Sequence, residues 1–185
     1  IAQINEQMHF TMGDSFIYLN EIDAAYVASQ PLPELQPAKM DPVTQKIGEY
    51  AALLIEDGAT LQMGIGKIPD AVLNSPHHHR DLGIHTEMFS DGVIELIQKG
   101  IINNSRKSIH RHKTVTSFFI GTKTLYDFVH KHPHVDFHPS EYVNNPSIIA
   151  QNDKMVSINS AIEVDLTGQV VADSVGYRFF SGIGG

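Results

Sequence analysis

The sequence predicts an α/β fold in which an open, parallel-rich sheet is flanked by helices and preceded by the end of another α/β domain. From residue 42 onward, short segments rich in β-branched and apolar residues alternate with segments whose apolar residues recur at helical spacing. The links between these segments are short, which favours right-handed crossovers between parallel strands. Four prolines between residues 31 and 42 separate this alternating pattern from two strand-like segments before it.

The domain organisation follows from this proline-rich segment. Each proline fixes its own φ angle and biases the preceding residue away from helix, so residues 31–41 are predicted to form an extended linker. Residues 1–30, with predicted strands at 16–19 and 25–28, are expected to be the C-terminal part of a first α/β domain. Residues 42–185 are expected to be a second α/β domain, truncated at its glycine-rich C-terminus.

The elements of the second domain can be placed in chain order. Asp41 and Pro42 predict a helix start, as N-cap and first helical residue, and apolar residues keep helical spacing up to Gly58. The elements predicted next are a strand at 60–63, a helix at 69–73, a strand at 82–86, a helix at 92–99, a strand at 114–120, a helix at 123–129 and a strand at 135–138. Finally, residues 155–166 and 169–175 alternate between apolar and polar around a Thr-Gly pair, which predicts a hairpin.

Composition and charge narrow the class of protein. The chain has 185 residues, of which 42% are hydrophobic and 18% charged, as is typical of a globular protein. A formal net charge of −8 disfavours binding to nucleic acid or to an anionic membrane, and no apolar run approaches the ~20 residues of a spanning helix. The absence of cysteine excludes disulfides and thiol nucleophiles, and we expect a cytoplasmic location.

A glycine turn follows the predicted strand at 60–63. Gly64 and Gly66 would let backbone N–H groups face a phosphate or a developing oxyanion at the start of the next helix. The pattern is neither a dinucleotide-binding fingerprint nor a P-loop, because Pro69 occupies the third glycine position and no Gly-Lys-Ser/Thr follows. A tight turn without a ligand is the alternative interpretation.

Glu87 falls at the carboxyl end of the next predicted strand, which is the edge of a parallel sheet where ligands bind. The glycine turn lies on the same edge, so a carboxylate there could act as a base, a metal ligand or a covalent nucleophile. Alternation places Asn159 and Glu163 on one face of a later strand, from which Asn159 could reach the crevice and hold a carboxylate. A helix-cap or surface carboxylate and a solvated sheet face are the alternatives.

The histidines do not have the spacing of a metal site. Three are consecutive at 77–79, two flank Arg111, and others surround Pro133. None of these groups has the His-Glu-x-x-His spacing that would place ligands on one helix face. We therefore expect solvated loops there and no metal.

Several stretches together resemble the acetyl-CoA hydrolase/transferase family, most closely its branch of 4-hydroxybutyrate CoA-transferases. These stretches are residues 48–72, 83–92, 119–129, 142–146, 152–169 and 181–185. They include the glycine turn, the segment that carries Glu87, and Asn159. The resemblance implies that each subunit has two α/β domains. Because members of the family commonly form dimers, it also implies a homodimer.

The resemblance also implies a chemistry. A carboxylate can attack a thioester, so the implied enzyme moves CoA between an acyl-CoA and a small carboxylic acid, of the 4-hydroxybutyrate, acetate or butyrate type, through a glutamyl-CoA thioester. By analogy Glu87 is the nucleophile and Asn159 orients it. The residues implied to bind CoA or the thioester oxygen are Gly64, Ile65, Gly66, Lys67, Ile68, Gly182, Gly184 and Gly185. CoA is then a substrate, with no resident cofactor or metal; an acyl-CoA hydrolase and a non-catalytic CoA-binding module are the alternatives.

Overall fold

The computed structural model describes residues 1–75 and 78–182. Its strands are β1 (Ala2–Ile4), β2 (Met12–Gly13), β3 (Ala25–Val27), β4 (Thr60–Met63), β5 (Gly83–Ile84), β6 (Met88–Phe89), β7 (Thr114–Thr116), β8 (Phe118–Phe119), β9 (Val135–Phe137), β10 (Met155–Ile158), β11 (Glu163–Val164), β12 (Val170–Val171), β13 (Ser174–Val175) and β14 (Arg178–Phe179). Its α-helices are α1 (Pro42–Ala52), α2 (Lys67–Leu73), α3 (Gly92–Gln98), α4 (Lys123–Val129), α5 (Ser140–Val143) and α6 (Pro146–Ile149). Within the described ranges, no helix combines the length and the apolar character needed to cross a bilayer.

The centre of the fold is a row of parallel strands. Strands β10, β4 and β5 form one three-stranded sheet, and β2, β9 and β7 form another. A parallel bridge between His85 and Val115 joins them, which gives the order β10-β4-β5-β7-β9-β2. Helices α2 and α4 are crossovers between parallel strands of this row, so the predicted parallel-rich α/β fold is confirmed.

The core lies between this row and the helices that cover it. Strand β4 has buried side chains at consecutive positions, as expected for a parallel strand that is covered on both faces. The fully buried apolar residues include Ala59, Leu61, Val72, Leu82, Ile84, Phe89, Val93, Leu125, Val129 and Val135. Burial of these side chains fixes the ends of β4 and β5, where the predicted site lies.

Helix α1 begins where the sequence predicts. The Asp41 carboxylate accepts hydrogen bonds from the backbone N–H groups of Val43 (3.1 Å) and Thr44 (2.9 Å), and Pro42 occupies the first turn. The helix ends at Ala52, earlier than the apolar pattern up to Gly58 indicates.

The prediction of a strand at residues 16–19 is wrong. Leu19–Glu21 form a 3₁₀ turn instead, and the Glu21 carboxylate accepts a hydrogen bond from the N–H of Tyr18 at 3.1 Å. Phe16 is 68% exposed, so its apolar character does not reflect a paired, half-buried strand. The predicted strand at 25–28 is confirmed as β3, and its parallel partner β1 was not predicted.

The first thirty residues contact the segment that follows the linker. Strand β2 pairs with β9 in parallel, with Met12 opposite Asp136 and Gly13 opposite Phe137. Residues 28–41 contain no helix or strand, and the N–H of Leu35 donates to Gly121 O at 2.9 Å. The first segment therefore adds an edge strand to the row, and the division into 1–30, 31–41 and 42–185 stays a prediction.

Two strand predictions need correction in detail. The predicted strand at 114–120 is split into β7 and β8, because the N–H groups of Ser117 and Phe118 both donate to Glu87 O, at 2.9 and 3.0 Å. This shared acceptor produces a bulge between the two short strands. The predicted hairpin forms between β11 and β12 only, since β10 pairs in parallel with β4. A second hairpin, between β13 and β14, was not predicted.

Candidate active site

Three neighbouring parallel strands end at the predicted site. Ile158 at the end of β10 is in register with Met63 at the end of β4, and Leu61 of β4 is in register with Ile84 of β5. Asn159 and Gly64 directly follow the first two strands. Because parallel strands place their carboxyl ends on one edge, the glycine turn lies next to the ends of both neighbouring strands. The sequence predicts this shared edge for the glycine turn and the Glu87 segment, whereas the pairing of β10 with β4 was not predicted.

The glycine turn presents unpaired backbone donors. Gly64 N–H donates to Ile158 O at 2.7 Å and fixes the start of the turn. Gly66 has φ 109° and ψ −174°, a conformation that only glycine adopts readily. In the described chain, the N–H groups of residues 65–68 have no hydrogen-bond acceptor. The side chain of Ile65 is 64% exposed, so this stretch is open to a ligand.

The segment that carries Glu87 is held by two buried threonines. The hydroxyl of Thr86 accepts from Met63 N–H at 3.0 Å and lies 3.1 Å from Met63 O, which ties the end of β5 to the end of β4. The hydroxyl of Thr116 lies 3.0 Å from Glu87 O. These contacts fix the backbone at Thr86 and at Glu87 itself. Its half-buried side chain forms no hydrogen bond or ion pair with the described residues.

Asn159 contacts the glycine turn. Its amide nitrogen donates to Gln62 Oε1 at 3.0 Å and to Ser157 Oγ at 2.9 Å. Its Oδ1 lies 2.7 Å from the position that a Cβ on Gly64 would occupy. No hydrogen bond between Asn159 and Glu87 is present in the described chain, so the orienting role of Asn159 stays a prediction.

A cleft of about 390 Å³ opens beside the turn, and the proline-rich linker forms one of its walls. The lining residues include Leu35, Pro37, Ala38, Met40, Ile65, Gly66, Asp70, Met88, Ser90, Asp91, Ile120 and Gly121. The cleft therefore joins the glycine turn to the residues that follow Glu87. Its mixture of apolar walls and a few polar groups is typical of a small-molecule site.

Two acidic residues of the cleft were not singled out from the sequence. Asp70 is half-buried and accepts from Ser90 Oγ at 2.9 Å, and burial raises the pKa of its carboxyl group. Asp91 accepts from Thr122 N–H at 3.0 Å, and its Oδ2 lies too close to Gly121 to leave room for a Cβ there. Both carboxylates belong to stretches that carry the family resemblance, which was the signal available in the sequence.

The remaining predicted CoA-binding residues differ in placement. Lys67 is exposed, and its Nζ lies 3.9 Å from Asp41 Oδ2, a distance at which an exposed pair contributes little. Gly182 is exposed, and nothing lies within 4 Å of a Cβ built on it. Gly184 and Gly185 lie outside the described residues. The CoA-binding roles of all three glycines stay predictions.

A buried lysine contacts the last residue of β5. Lys107 is 2% exposed, and its ammonium group donates to Ile84 O and Lys113 O, both at 2.8 Å. Burial lowers the pKa of Lys107 to about 7, and the charge of Asp136 opposes this shift. A Cβ on Gly83 would lie 2.5 Å from Lys107 Cγ, so glycine makes room for the lysine stem.

Comparison with known proteins identifies the family. Residues 121–185 match the family model of the acetyl-CoA hydrolase/transferase C-terminal domain. Over 100% of its length the chain is 55% identical to the 4-hydroxybutyrate coenzyme A transferase of Clostridium kluyveri, and it covers 43% of that protein. The chain belongs to the acetyl-CoA hydrolase/transferase family. The resemblance carried by the glycine turn and the Glu87 segment is thereby confirmed.

Other similar proteins agree with membership of the acetyl-CoA hydrolase/transferase family. The chain is 44% identical to the succinyl-CoA:cyclohexane-1-carboxylate CoA transferase of Geobacter metallireducens, over 100% of this chain and 42% of that protein. The crystal structure of a 4-hydroxybutyrate CoA-transferase from Porphyromonas gingivalis aligns with a TM-score of 0.86 at 48% identity, covering 91% of this chain and 43% of that one. The crystal structure of RipA from Yersinia pestis aligns with a TM-score of 0.86 at 37% identity, covering 92% of this chain and 40% of that one. The chain thus spans less than half the length of these relatives.

Proposed function

We propose that the full-length protein is a CoA-transferase that moves CoA between an acyl-CoA and a small carboxylic acid, with Glu87 as the nucleophile. The observation that carries the proposal is the placement of Glu87 and of the glycine turn after neighbouring parallel strands β5 and β4. Two relatives are named as a 4-hydroxybutyrate coenzyme A transferase and a succinyl-CoA:cyclohexane-1-carboxylate CoA transferase. Both names favour the transfer of CoA between a thioester and a carboxylic acid.

The reaction needs only a carboxylate nucleophile. Glu87 attacks the thioester carbonyl and releases CoA thiolate, which leaves a mixed anhydride between Glu87 and the acyl group. The thiolate then attacks the glutamyl carbonyl, so the first carboxylic acid leaves and Glu87 carries CoA as a thioester. A second carboxylate attacks the glutamyl thioester and displaces CoA thiolate, which leaves a mixed anhydride between Glu87 and the new acyl group. The thiolate then attacks the acyl carbonyl of this anhydride, which forms the new acyl-CoA and restores the Glu87 carboxylate. No proton, electron or metal is consumed over the cycle.

The glycine turn has a role in each attack. Every tetrahedral intermediate places negative charge on a former carbonyl oxygen, and backbone N–H groups aimed at that oxygen stabilise it. We assign this role, together with binding part of CoA, to the unpaired N–H groups of residues 65–68. Asn159 supports the turn through its packing against Gly64, and the cleft of about 390 Å³ is the place we assign to the acyl chain.

Transfer and hydrolysis are distinguished by the fate of the thioester. The full-length protein is incubated with butyryl-CoA, with and without acetate, and acyl-CoA species and free thiol are both measured. Transfer predicts acetyl-CoA in an amount equal to the butyryl-CoA consumed, and a slow release of free CoA without acetate. Release of free CoA at a rate that acetate does not change would reject transfer in favour of hydrolysis. If the protein bound CoA but formed neither acetyl-CoA nor free CoA, a non-catalytic CoA-binding module would be favoured.

Acyl-CoA and small carboxylates are the partners of this proposed enzyme, with CoA as a substrate and no resident cofactor. A homodimer and a cytoplasmic location accompany the proposal as predictions from the family and from the lack of cysteine. Sedimentation of the full-length protein tests the first of these, and fractionation of the cell tests the second.

A further inference from the structure

A second cluster of polar side chains lies on β9 and the loop that faces it. Asp136 belongs to β9, His138 directly follows that strand, and His110 comes from the loop before β7. One ligand atom from each residue lies within 4.8 Å of those of the other two, and all three side chains are partly buried. The histidine spacing along the sequence did not predict this cluster, because its members come together only through the fold.

One atom of the cluster lacks an explanation within the protein. His138 Nε2 is buried and has no hydrogen-bond partner in the described part of the chain. A buried imidazole nitrogen without a partner is unfavourable, since it has lost its hydrogen bond to water. Its ring is already fixed, because it stacks on the Tyr142 ring at 4.8 Å and meets the His110 ring edge-on at 5.2 Å.

The other two residues are held in the way that metal ligands are held. His110 Nε2 forms a 2.6 Å hydrogen bond with the Tyr142 hydroxyl, which orients the ring. Asp136 Oδ1 accepts from Lys113 Nζ at 2.9 Å, and its Oδ2 has no partner among the described residues. Outer partners of this type orient metal-binding histidines and carboxylates in metalloproteins.

The backbone around His110 is also unusual. His110 has φ 50°, and His112 and Asn104 in the same loop have φ 64° and 57°. Non-glycine residues adopt such angles at a cost, and they persist where the surroundings hold them. The loop therefore holds His110 against β9 in spite of a backbone conformation that histidine disfavours.

We propose that His110, Asp136 and His138 form a binding site for a transition-metal ion of the Zn²⁺ type. Two imidazoles and one carboxylate suit Zn²⁺, which commonly takes nitrogen and oxygen ligands in a tetrahedral arrangement. Zinc bonds of about 2.0–2.1 Å place tetrahedral ligand atoms about 3.4 Å apart. Side-chain rotations that move each ligand atom by about 1 Å would therefore bring the three residues to coordination distance. The ion ties the loop of His110 to β9 and gives His138 Nε2 its partner.

Binding of Zn²⁺ to the metal-free, full-length protein tests this proposal without any measurement of activity. Competition with a chromophoric chelator is expected to give one tight Zn²⁺ per chain, and Co²⁺ in its place is expected to give the visible absorption of a four-coordinate ion. His138→Gln and His110→Asn are expected to weaken Zn²⁺ binding more than about 100-fold, since even outer partners of ligands contribute about 10- to 100-fold. Asparagine is chosen at 110 because it tolerates positive φ.

Two further variants keep the test decisive. His134→Gln removes an exposed histidine two residues from Asp136 and is expected to leave the tight site unchanged. Tyr142→Phe keeps the ring stack but removes the hydroxyl, and is expected to weaken Zn²⁺ binding about 10-fold or more while the protein stays folded. Absence of tight Zn²⁺ binding by the unsubstituted protein would overturn the proposal. The proposal would also be overturned if His134→Gln weakened Zn²⁺ binding as much as His138→Gln does. It would be overturned as well if neither of the single variants Tyr142→Phe and His110→Asn weakened Zn²⁺ binding.

Discussion

The side-chain oxygen of Asn159 lies 2.7 Å from the place where a Cβ atom on Gly64 would stand. Gly64 N–H donates to Ile158 O at 2.7 Å, so the ends of β4 and β10 are in contact through both backbone and side chain. Asn159 cannot easily move away, because its amide group is hydrogen-bonded to Gln62 and Ser157. The absence of a side chain at position 64 therefore decides how the glycine turn sits beside β10.

This contact predicts a coupled pair of substitutions. Gly64→Ala overpacks the turn and is expected to lower the free energy of unfolding by about 1–3 kcal/mol. Asn159→Ala removes the atom that the new methyl group meets, so the double variant is expected to be less destabilised than the sum of the single variants. Chemical denaturation of all four proteins measures the coupling. If the losses in the free energy of unfolding of the two single variants simply added up in the double variant, the contact between positions 64 and 159 would have no energetic effect.

A second prediction separates backbone strain from steric contact at Gly66. No atom lies within 4 Å of a Cβ built there, yet its φ of 109° disfavours any side chain. Gly66→Ala is expected to cost about 1–3 kcal/mol of stability and to reduce CoA transfer strongly, because the turn must shift. Gly100 is the matched control, with φ 73° and an equally open Cβ position. If Gly100→Ala lowers the transfer rate as much as Gly66→Ala does, the turn has no special role.

A third prediction concerns the pH dependence of stability. The pKa of Lys107 falls from 10.5 to about 7 on folding, so above pH 7 the unfolded chain binds more protons than the folded one. The free energy of unfolding is therefore expected to gain a contribution that rises with pH between about 7 and 10.5, by at most about 1.4 kcal/mol per pH unit. Below pH 7 both states are protonated and the contribution is flat.

Denaturation between pH 6 and pH 10 compares the unsubstituted protein with Lys107→Met. The variant is expected to lack the rise, whereas Lys39→Met, at an exposed position, is expected to keep it. A rise of the same size in Lys107→Met would show that another group causes it.

The part of the site that the sequence predicts well is local. The glycine turn and the start of α1 rest on a few adjacent residues, such as Gly66 and the Asp41–Pro42 pair, whose conformational preferences are strong. The adjacency of β4 and β5 was also predictable, since a short crossover through α2 joins parallel neighbours. For these reasons the sequence alone predicts which edge of the sheet holds the turn.

The parts that the sequence did not predict depend on distant partners. Strands β1 and β2 have three and two residues, too few for alternation to show. Lys107 is buried although lysine is normally exposed, because carbonyl groups from β5 and from Lys113 meet its ammonium group. His110 and His138 are far apart in sequence and become neighbours only when the loop before β7 folds against β9.

We propose that Glu87 carries CoA as a thioester during the reaction. The full-length protein is incubated with acyl-CoA but no acceptor acid, treated with borohydride or hydroxylamine, digested and analysed by mass spectrometry. We expect the modification on the peptide that contains Glu87. In Glu87→Gln we expect no modification and a loss of several orders of magnitude in transfer rate, with CoA affinity within a few fold, because the shape of the side chain is kept. A modification on another carboxylate, such as Glu95 or Glu163, or full activity of Glu87→Gln, would contradict the assignment.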